Sequence, residues 1–148
     1  MTGTDPQRLS LGDLRDMAAF LIALVATLSA LFIGEVLGQM PCTLCWYQRI
    51  AMFPLVPVLA VAIMFGDPLG RLYALPLSLV GLAIAVWHSG LYAGVIPAPL
   101  LPCRENGPSC TDQAAQSILG LPIPYLSLAA FAAISLLLVP KGHTHEPS

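Results

Sequence analysis

The sequence predicts an all-α integral membrane protein, a four-helix bundle built by one domain over residues 1–148, and three observations carry that expectation. Of its residues 57% are hydrophobic and only 9% charged, against roughly 25% charged in an ordinary soluble domain, so lipid is the solvent this composition fits. The apolar residues fall into four stretches, 17–38, 50–65, 72–95 and 118–139, and about 20 apolar residues suffice to cross a bilayer. The segments between them are too short to fold as a second domain.

The first stretch is too long for the apolar region of a secretory signal and lacks a small-residue cleavage site after it, so it is expected to persist as a helix behind a short solvated lead-in. The second reaches spanning length when Trp46 and Tyr47 serve as its interfacial aromatic end, giving 46–65 and placing Cys45 at a membrane surface. A tight connection at 66–71 leads to the third span, and a longer loop at 96–117 leads to the fourth. Lys141, His143 and His145 belong to a short polar tail. The 14 prolines and 12 glycines do not exclude helices, because neighbouring helices in a membrane bundle re-satisfy the backbone groups that such residues leave unpaired.

Orientation follows from the basic residues, since Lys and Arg near spans are retained preferentially in the cytoplasm. Arg8, Arg15, Arg71 and Lys141 fall on one side and Arg49 and Arg104 on the other, which puts both termini in the cytoplasm. The formal charge of −2 arises from scattered residues. No basic stripe exists to neutralise phosphates, so nucleic acid is not an expected partner.

Every cysteine lies in the two outward loops: Cys42 and Cys45 in the first, Cys103 and Cys110 in the third. Two spans separate the pairs, and an even number of crossings returns the chain to the same face, so the pairs can meet whichever way the protein inserts. Outside the cytoplasm paired cysteines form and exchange disulfides. The spacing of Cys42-Thr43-Leu44-Cys45 closes a tight ring, and at a helix start the unpaired N–H groups stabilise a thiolate. On a helix Arg49 stands one turn beyond Cys45, adding a positive charge that favours a thiolate or a reduced, anionic acceptor; position alone equally allows an arginine that snorkels to the headgroups.

The residues between Cys103 and Cys110 are polar or turn-forming, which predicts a flexible aqueous loop open to a protein partner. A static disulfide is the bland reading of that pair. A four-thiolate zinc site drawing on Cys42 and Cys45 is disfavoured, because structural zinc thiolates suit reducing compartments and no soluble module is present for the metal to organise; the expected resident metal is none. A c-type haem would need histidine where Trp46 stands. Within the spans, Glu35 reads as a solvated helix end, and Gln39 is a further polar residue at the outer end of the first span. His88 sits in the outer half of the third, able to hydrogen-bond a quinone carbonyl or carry protons during its reduction, or simply to rest as a satisfied interfacial histidine.

The run Pro41-Cys42-Thr43-Leu44-Cys45-Trp46-Tyr47-Gln48-Arg49-Ile50 resembles the signature of the disulfide bond formation protein B family, especially its shorter BdbC-like members. Trp87-His88, the Cys103 to Cys110 loop and Pro122-Ile123-Pro124 support the resemblance, which with hydropathy extends over nearly the whole chain. It implies a four-helix bundle in the bacterial cytoplasmic membrane that reoxidises a DsbA-like, thioredoxin-fold thiol oxidase and passes the electrons to ubiquinone or menaquinone. By the same resemblance Cys103 forms the mixed disulfide with that partner, Cys110 connects the loop to Cys42, Cys45 faces the quinone, Arg49 supports quinone binding and His88 matches a recurrent third-span histidine. The third loop is shorter than in the longer enterobacterial members, which leaves the order of exchange at Cys103 and Cys110 open. Two other readings compete. A vitamin K epoxide reductase-like enzyme combines similar parts but places its loop pair before the C-x-x-C, and a membrane scaffold would hold both disulfides static.

Overall fold

The computed structural model describes residues 10–67, 69–97, 110–111 and 117–139. Arg8, Cys103, Arg104, Lys141, His143 and His145 lie outside them. Four helices run through the described residues: α1 (Leu11–Leu31), α2 (Thr43–Phe65), α3 (Gly70–Tyr92) and α4 (Ile123–Leu138). The first three, α1 being counted through Val36, are long and apolar enough to cross a membrane, and α4 is a shorter apolar helix of 16 residues. The protein is thus the all-α membrane bundle that its composition predicts.

Local sequence sets the helix ends. Ser10 caps α1, its hydroxyl accepting from the Asp13 N–H while the Asp13 carboxylate accepts from the Ser10 N–H, a reciprocal pair that satisfies two otherwise orphaned donors. Beyond Leu31 the helix widens into a π-helical turn over Phe32–Val36. The α2 helix ends at Gly66, whose φ of 61° lies in the left-handed region that a residue without Cβ adopts at little cost. The helical part of the fourth stretch starts later than the sequence-based 118. Ser117–Ile118 and Leu121–Pro122 instead form a small antiparallel hairpin, β1 and β2, turning through Leu119 and Gly120, both with positive φ. The physical reason is local: Gly120 permits the tight turn, and Pro122, extended at ψ 120°, precedes a helix whose first turn tolerates Pro124 because an N–H there has no intrahelical partner anyway.

Each helix packs on two neighbours, in the cyclic order α1, α2, α3, α4. Small residues line the seams: Ala19 and Ala23 on α1, Ala74 and Ala85 on α3 are fully buried beside Leu55, Leu59, Phe131 and Ile134. In lipid no hydrophobic force drives helices together, so close backbone approach and interhelical hydrogen bonds carry association. A buried bond of 2.8 Å between the Ser78 and Ser135 hydroxyls ties α3 to α4. The outward faces remain apolar, with Val25, Leu28, Val61 and Val80 exposed to what would be acyl chains.

The end of the bundle away from the cysteines is closed by two arginines. Arg15 donates to the carbonyls of Leu136 and Val139 at 3.0 and 2.8 Å, neutralising the negative C-terminus of α4. Arg71 grips the Asp16 carboxylate through Nε and Nη2 at 2.7 and 3.0 Å and also donates to Gly12 O.

Gly81 on α3 is a packing requirement: a Cβ there would run into the Phe131 ring of α4. Gly81→Ala is therefore expected to destabilise the bundle by about 1–3 kcal/mol, the usual cost of overpacking a filled interior. A lowered thermal midpoint in detergent checks this, and an unchanged midpoint would show that the α3–α4 seam is looser than described.

Candidate functional site

Cys42 is the N-cap of α2. Its sulfur accepts from the Cys45 backbone N–H at 3.3 Å, and the Cys42 and Cys45 Sγ atoms stand 2.8 Å apart as thiols. The C-x-x-C spacing produces this geometry, because a cap residue and the third helical residue after it lie on the same edge of the first turn. Cys45 itself begins a stripe on α2 that continues through Gln48, Arg49 and Met52 at helical spacing.

His88, fully buried on α3, comes up behind the pair. Its Nε2 lies 3.8 Å from Cys42 Sγ, and its Nδ1 lies 3.3 Å from the Gln48 side-chain nitrogen. With the Gln48 amide donating to Nδ1, the neutral imidazole carries its proton on Nε2, facing the sulfur. Cys110 completes the group: it is buried in one cluster with Cys42, Leu44 and Leu91, and a side-chain hydrogen bond joins it to Cys42. The bond from Cys110 pulls the Cys42 thiol down, but the bond to Cys45, burial and the Cys45 charge outweigh it and push the thiol up to about 11. In the reduced pair Cys42 is the sulfur that keeps its proton.

On the other side of Cys45 opens a cavity of about 920 Å³ between α1, α2, α4 and the hairpin. Leu21, Val25, Phe32, Leu126 and Phe131 make its walls apolar, and Cys42, Cys45, Gln48, Arg49 and Gln39 bring polar atoms to one end. The π-helical turn shapes that end. Arg49 donates to Ala30 O at 2.8 Å, and its guanidinium lies so close to Gly34 that a Cβ there would approach Nη2 to 3.1 Å. Trp46 stacks by the same group at 5.7 Å, a cation–π contact that holds it. The Gln39 Oε1 is buried with no hydrogen-bond partner among the described residues, an acceptor that a polar ligand atom in the cavity would satisfy.

The structure therefore brings together Cys42, Cys45, Cys110 and His88, with Arg49 one turn away, while Cys103 lies outside the described residues. Cys110 itself is 2% exposed and packed among apolar side chains of α2 and α3, while residues 103–109 of the loop expected to be aqueous lie outside the described ones. His88 faces Cys42 from the bundle interior and is not among the residues lining the cavity. Gln48 and Gly34 were not marked by sequence reasoning. An amide within a span, one turn past Cys45, was the available signal for Gln48, whereas nothing local marks Gly34, whose role depends on where Arg49 lies in space. Glu35 is exposed on the π-helical turn, in keeping with a solvated helix end.

The chain is similar to known proteins over most of its length. The profile of the family described as Disulfide bond formation protein DsbB matches residues 15–140. A "Probable disulfide formation protein" of Metapseudomonas resinovorans is 51% identical over 124 residues, covering 83% of this chain and 85% of that protein. "Disulfide bond formation protein C" of Bacillus subtilis (strain 168) is 35% identical over 132 residues, covering 87% and 94%. A "Probable disulfide formation protein" of Chlamydia trachomatis is 39% identical over 123 residues, covering 82% and 87%. No solved structure matches the chain.

Proposed function

This chain belongs to the disulfide bond formation protein DsbB family, membrane oxidoreductases that form disulfides, and from that premise we propose that it reoxidises a DsbA-like thiol oxidase and discharges the electrons to a quinone held beside Cys45. The observation that carries the reading is the position of the C-x-x-C pair between two environments. Cys42 meets a loop cysteine on one side, and Cys45 borders an apolar cavity on the other. A soluble thiol partner and a lipid-confined acceptor require two such faces.

The cavity fits the ring and first isoprenoid of a quinone in size and lining, and Arg49 and Gln39 offer a donor and an acceptor for its oxygens. When bound, a quinone supplies a two-electron acceptor. The residues of the chain do the rest. Arg49 uses one of its five donors on Ala30 O and turns positive charge toward the cavity, where it stabilises negative charge developing at the acceptor. Cys103 and Cys110 begin oxidised. A thiolate of the partner opens that disulfide at Cys103, and the Cys110 thiolate so released attacks Cys42 Sγ. The Cys42–Cys45 disulfide breaks and Cys45 leaves as a thiolate toward the cavity. A second partner thiolate then releases Cys103, which attacks Cys110, and Cys42 leaves in turn. His88 Nε2–H is placed to protonate that leaving sulfur. We assign His88 this role at Cys42 rather than contact with the quinone, because it is absent from the cavity wall.

The test is stoichiometric. Purified chain, reduced thioredoxin-fold oxidase and a soluble quinone should lose two thiols for each quinone reduced; thiol loss with quinone unchanged would remove the quinone from the reading. We further propose that the cysteine end faces away from the cytoplasm. Leu119, 99% exposed in the hairpin turn, and Asp67, between α2 and α3, mark opposite ends. In a chain whose native cysteines are replaced by Ser, Leu119→Cys should react with a membrane-impermeant thiol reagent in intact cells, and Asp67→Cys only after the membrane is opened. The reverse pattern would invert the topology.

A further inference from the structure

We propose that the reduced centre is a binding site for a thiophilic divalent cation of the zinc and cadmium class, with Cys42, Cys45 and His88 as its three protein ligands and the fourth position left to water, and that such a cation arrests the protein in its reduced form. The ligand atoms of Cys42, Cys45 and His88 all lie within 4.8 Å of one another in a mostly buried pocket. A tetrahedral ion with metal–sulfur bonds of about 2.3 Å and metal–nitrogen bonds of about 2.0 Å holds its ligand atoms roughly 3.5–3.8 Å apart. The separation of Cys42 Sγ from His88 Nε2, 3.8 Å, already meets this. The two sulfurs, 2.8 Å apart, have to open by about 1 Å to reach the tetrahedral spacing, and the Cys45 side chain, only partly buried beside the cavity, is free to turn by that much.

What distinguishes this group from any reduced C-x-x-C is its histidine and the residue behind it. Metal-bound imidazoles use their second nitrogen to hydrogen-bond an orienting group. Gln48 occupies that position at 3.3 Å from Nδ1; with its amide turned over, Oε1 accepts from Nδ1–H and Nε2 presents a lone pair to the ion. Two thiols release two protons on binding, no oxidation state changes, and the two thiolates balance the charge of the divalent ion. The cavity that Cys42 and Cys45 line provides the path in. Once Cys42 and Cys45 are joined in a disulfide neither offers a thiolate, so binding is confined to the reduced state. A bound ion in turn occupies both sulfurs that the disulfide needs. This is a different claim from a resident structural zinc, because the larger apolar core, which joins all four helices through Ala19, Leu55, Ala85 and Phe131, does not include these residues.

The experiment uses the full chain in detergent, reduced with a phosphine, without quinone or protein partner, so its result is independent of the relay described above. Cadmium is titrated and the thiolate-to-metal charge-transfer band recorded. One ion per reduced chain and none per oxidised chain are expected. The band of Cys45→Ser should have half of the parental intensity, that of Cys110→Ser should be undiminished, and His88→Ala should weaken binding at least tenfold. If His88→Ala does not accumulate, Gln48→Leu, which keeps all three ligands, should weaken it about 10- to 100-fold. Stoichiometric binding to the oxidised chain, an undiminished band in Cys45→Ser, or parental affinity in the histidine or glutamine variant would overturn the site.

Discussion

Cys45→Ala is expected to lower quinone reduction by about 10³-fold or more, the scale on which loss of a reacting nucleophile is felt, while leaving Cys42 able to form a disulfide with Cys110. Both sulfurs border the apolar cavity, but Cys45 stands one helical turn from Arg49, whereas Cys42 is hydrogen-bonded to Cys110 and faces His88. Removing Cys45 takes away the sulfur beside Arg49 without disturbing the contact of Cys42 with Cys110. Non-reducing electrophoresis after proteolysis should therefore find Cys42 linked to Cys110 in a chain that no longer reduces quinone. Arg49→Met provides the contrast. Loss of a charged hydrogen bond, about 1.5–3 kcal/mol, should raise the apparent KM for quinone about 10- to 100-fold, with far less effect at saturation. Parental turnover in Cys45→Ala, or an Arg49→Met defect confined to exchange with the protein partner at every quinone concentration, would reverse the two assignments.

Replacing Cys103 or Cys110 by Ser should abolish turnover with protein thiols, yet a small phosphine should still open the Cys42–Cys45 disulfide and support quinone reduction in the same variant. In the proposed relay the pairs act in series, so removing one step stops the whole flow rather than slowing it. The burial of Cys110 sharpens this expectation. At 2% exposure it is out of reach of a soluble protein while packed on Cys42, so in that relay partner thiols enter at Cys103. Partner oxidation at the parental rate in either variant would show that the partner reaches Cys42 directly. The two variants also differ in what they trap: in Cys110→Ser the Cys103 thiolate can open the disulfide of the oxidised partner, with one partner sulfur leaving as a thiolate, and the mixed disulfide should accumulate because Cys110 is not there to displace it, whereas Cys103→Ser should trap none.

Much of this protein was fixed by its sequence through rules that act over short distances. Hydropathy alone separates four apolar stretches, because lipid tolerates few charges and a span has a set length. Parity of crossings alone predicts one face for all four cysteines, and among the described residues Cys42, Cys45 and Cys110 do meet. The C-x-x-C at a helix start follows from capping chemistry, and the structure places Cys42 at that cap. The hairpin before α4 shows where such reading ends: the run from 118 is apolar enough for a helix, but the Gly120 turn and an extended Pro122 override hydropathy locally.

Only the tertiary structure decided which side of each residue matters. His88 and Arg49 are both polar groups near the outer ends of spans, and sequence assigned both to the same ligand. Packing separates them: α3 turns His88 inward against Cys42 and Gln48, while the π-helical turn and Gly34 open α1 so that Arg49 lies at the cavity. Likewise the polar run between Cys103 and Cys110 predicts water, yet Cys110 is buried because a single sulfur can pack against Leu44 and Leu91 whatever its neighbours in sequence prefer. Composition and spacing determine which segments enter the membrane and which chemistry they carry; the rotation of each helix against its neighbours is set by how their side chains interlock, and that is not written in any one segment.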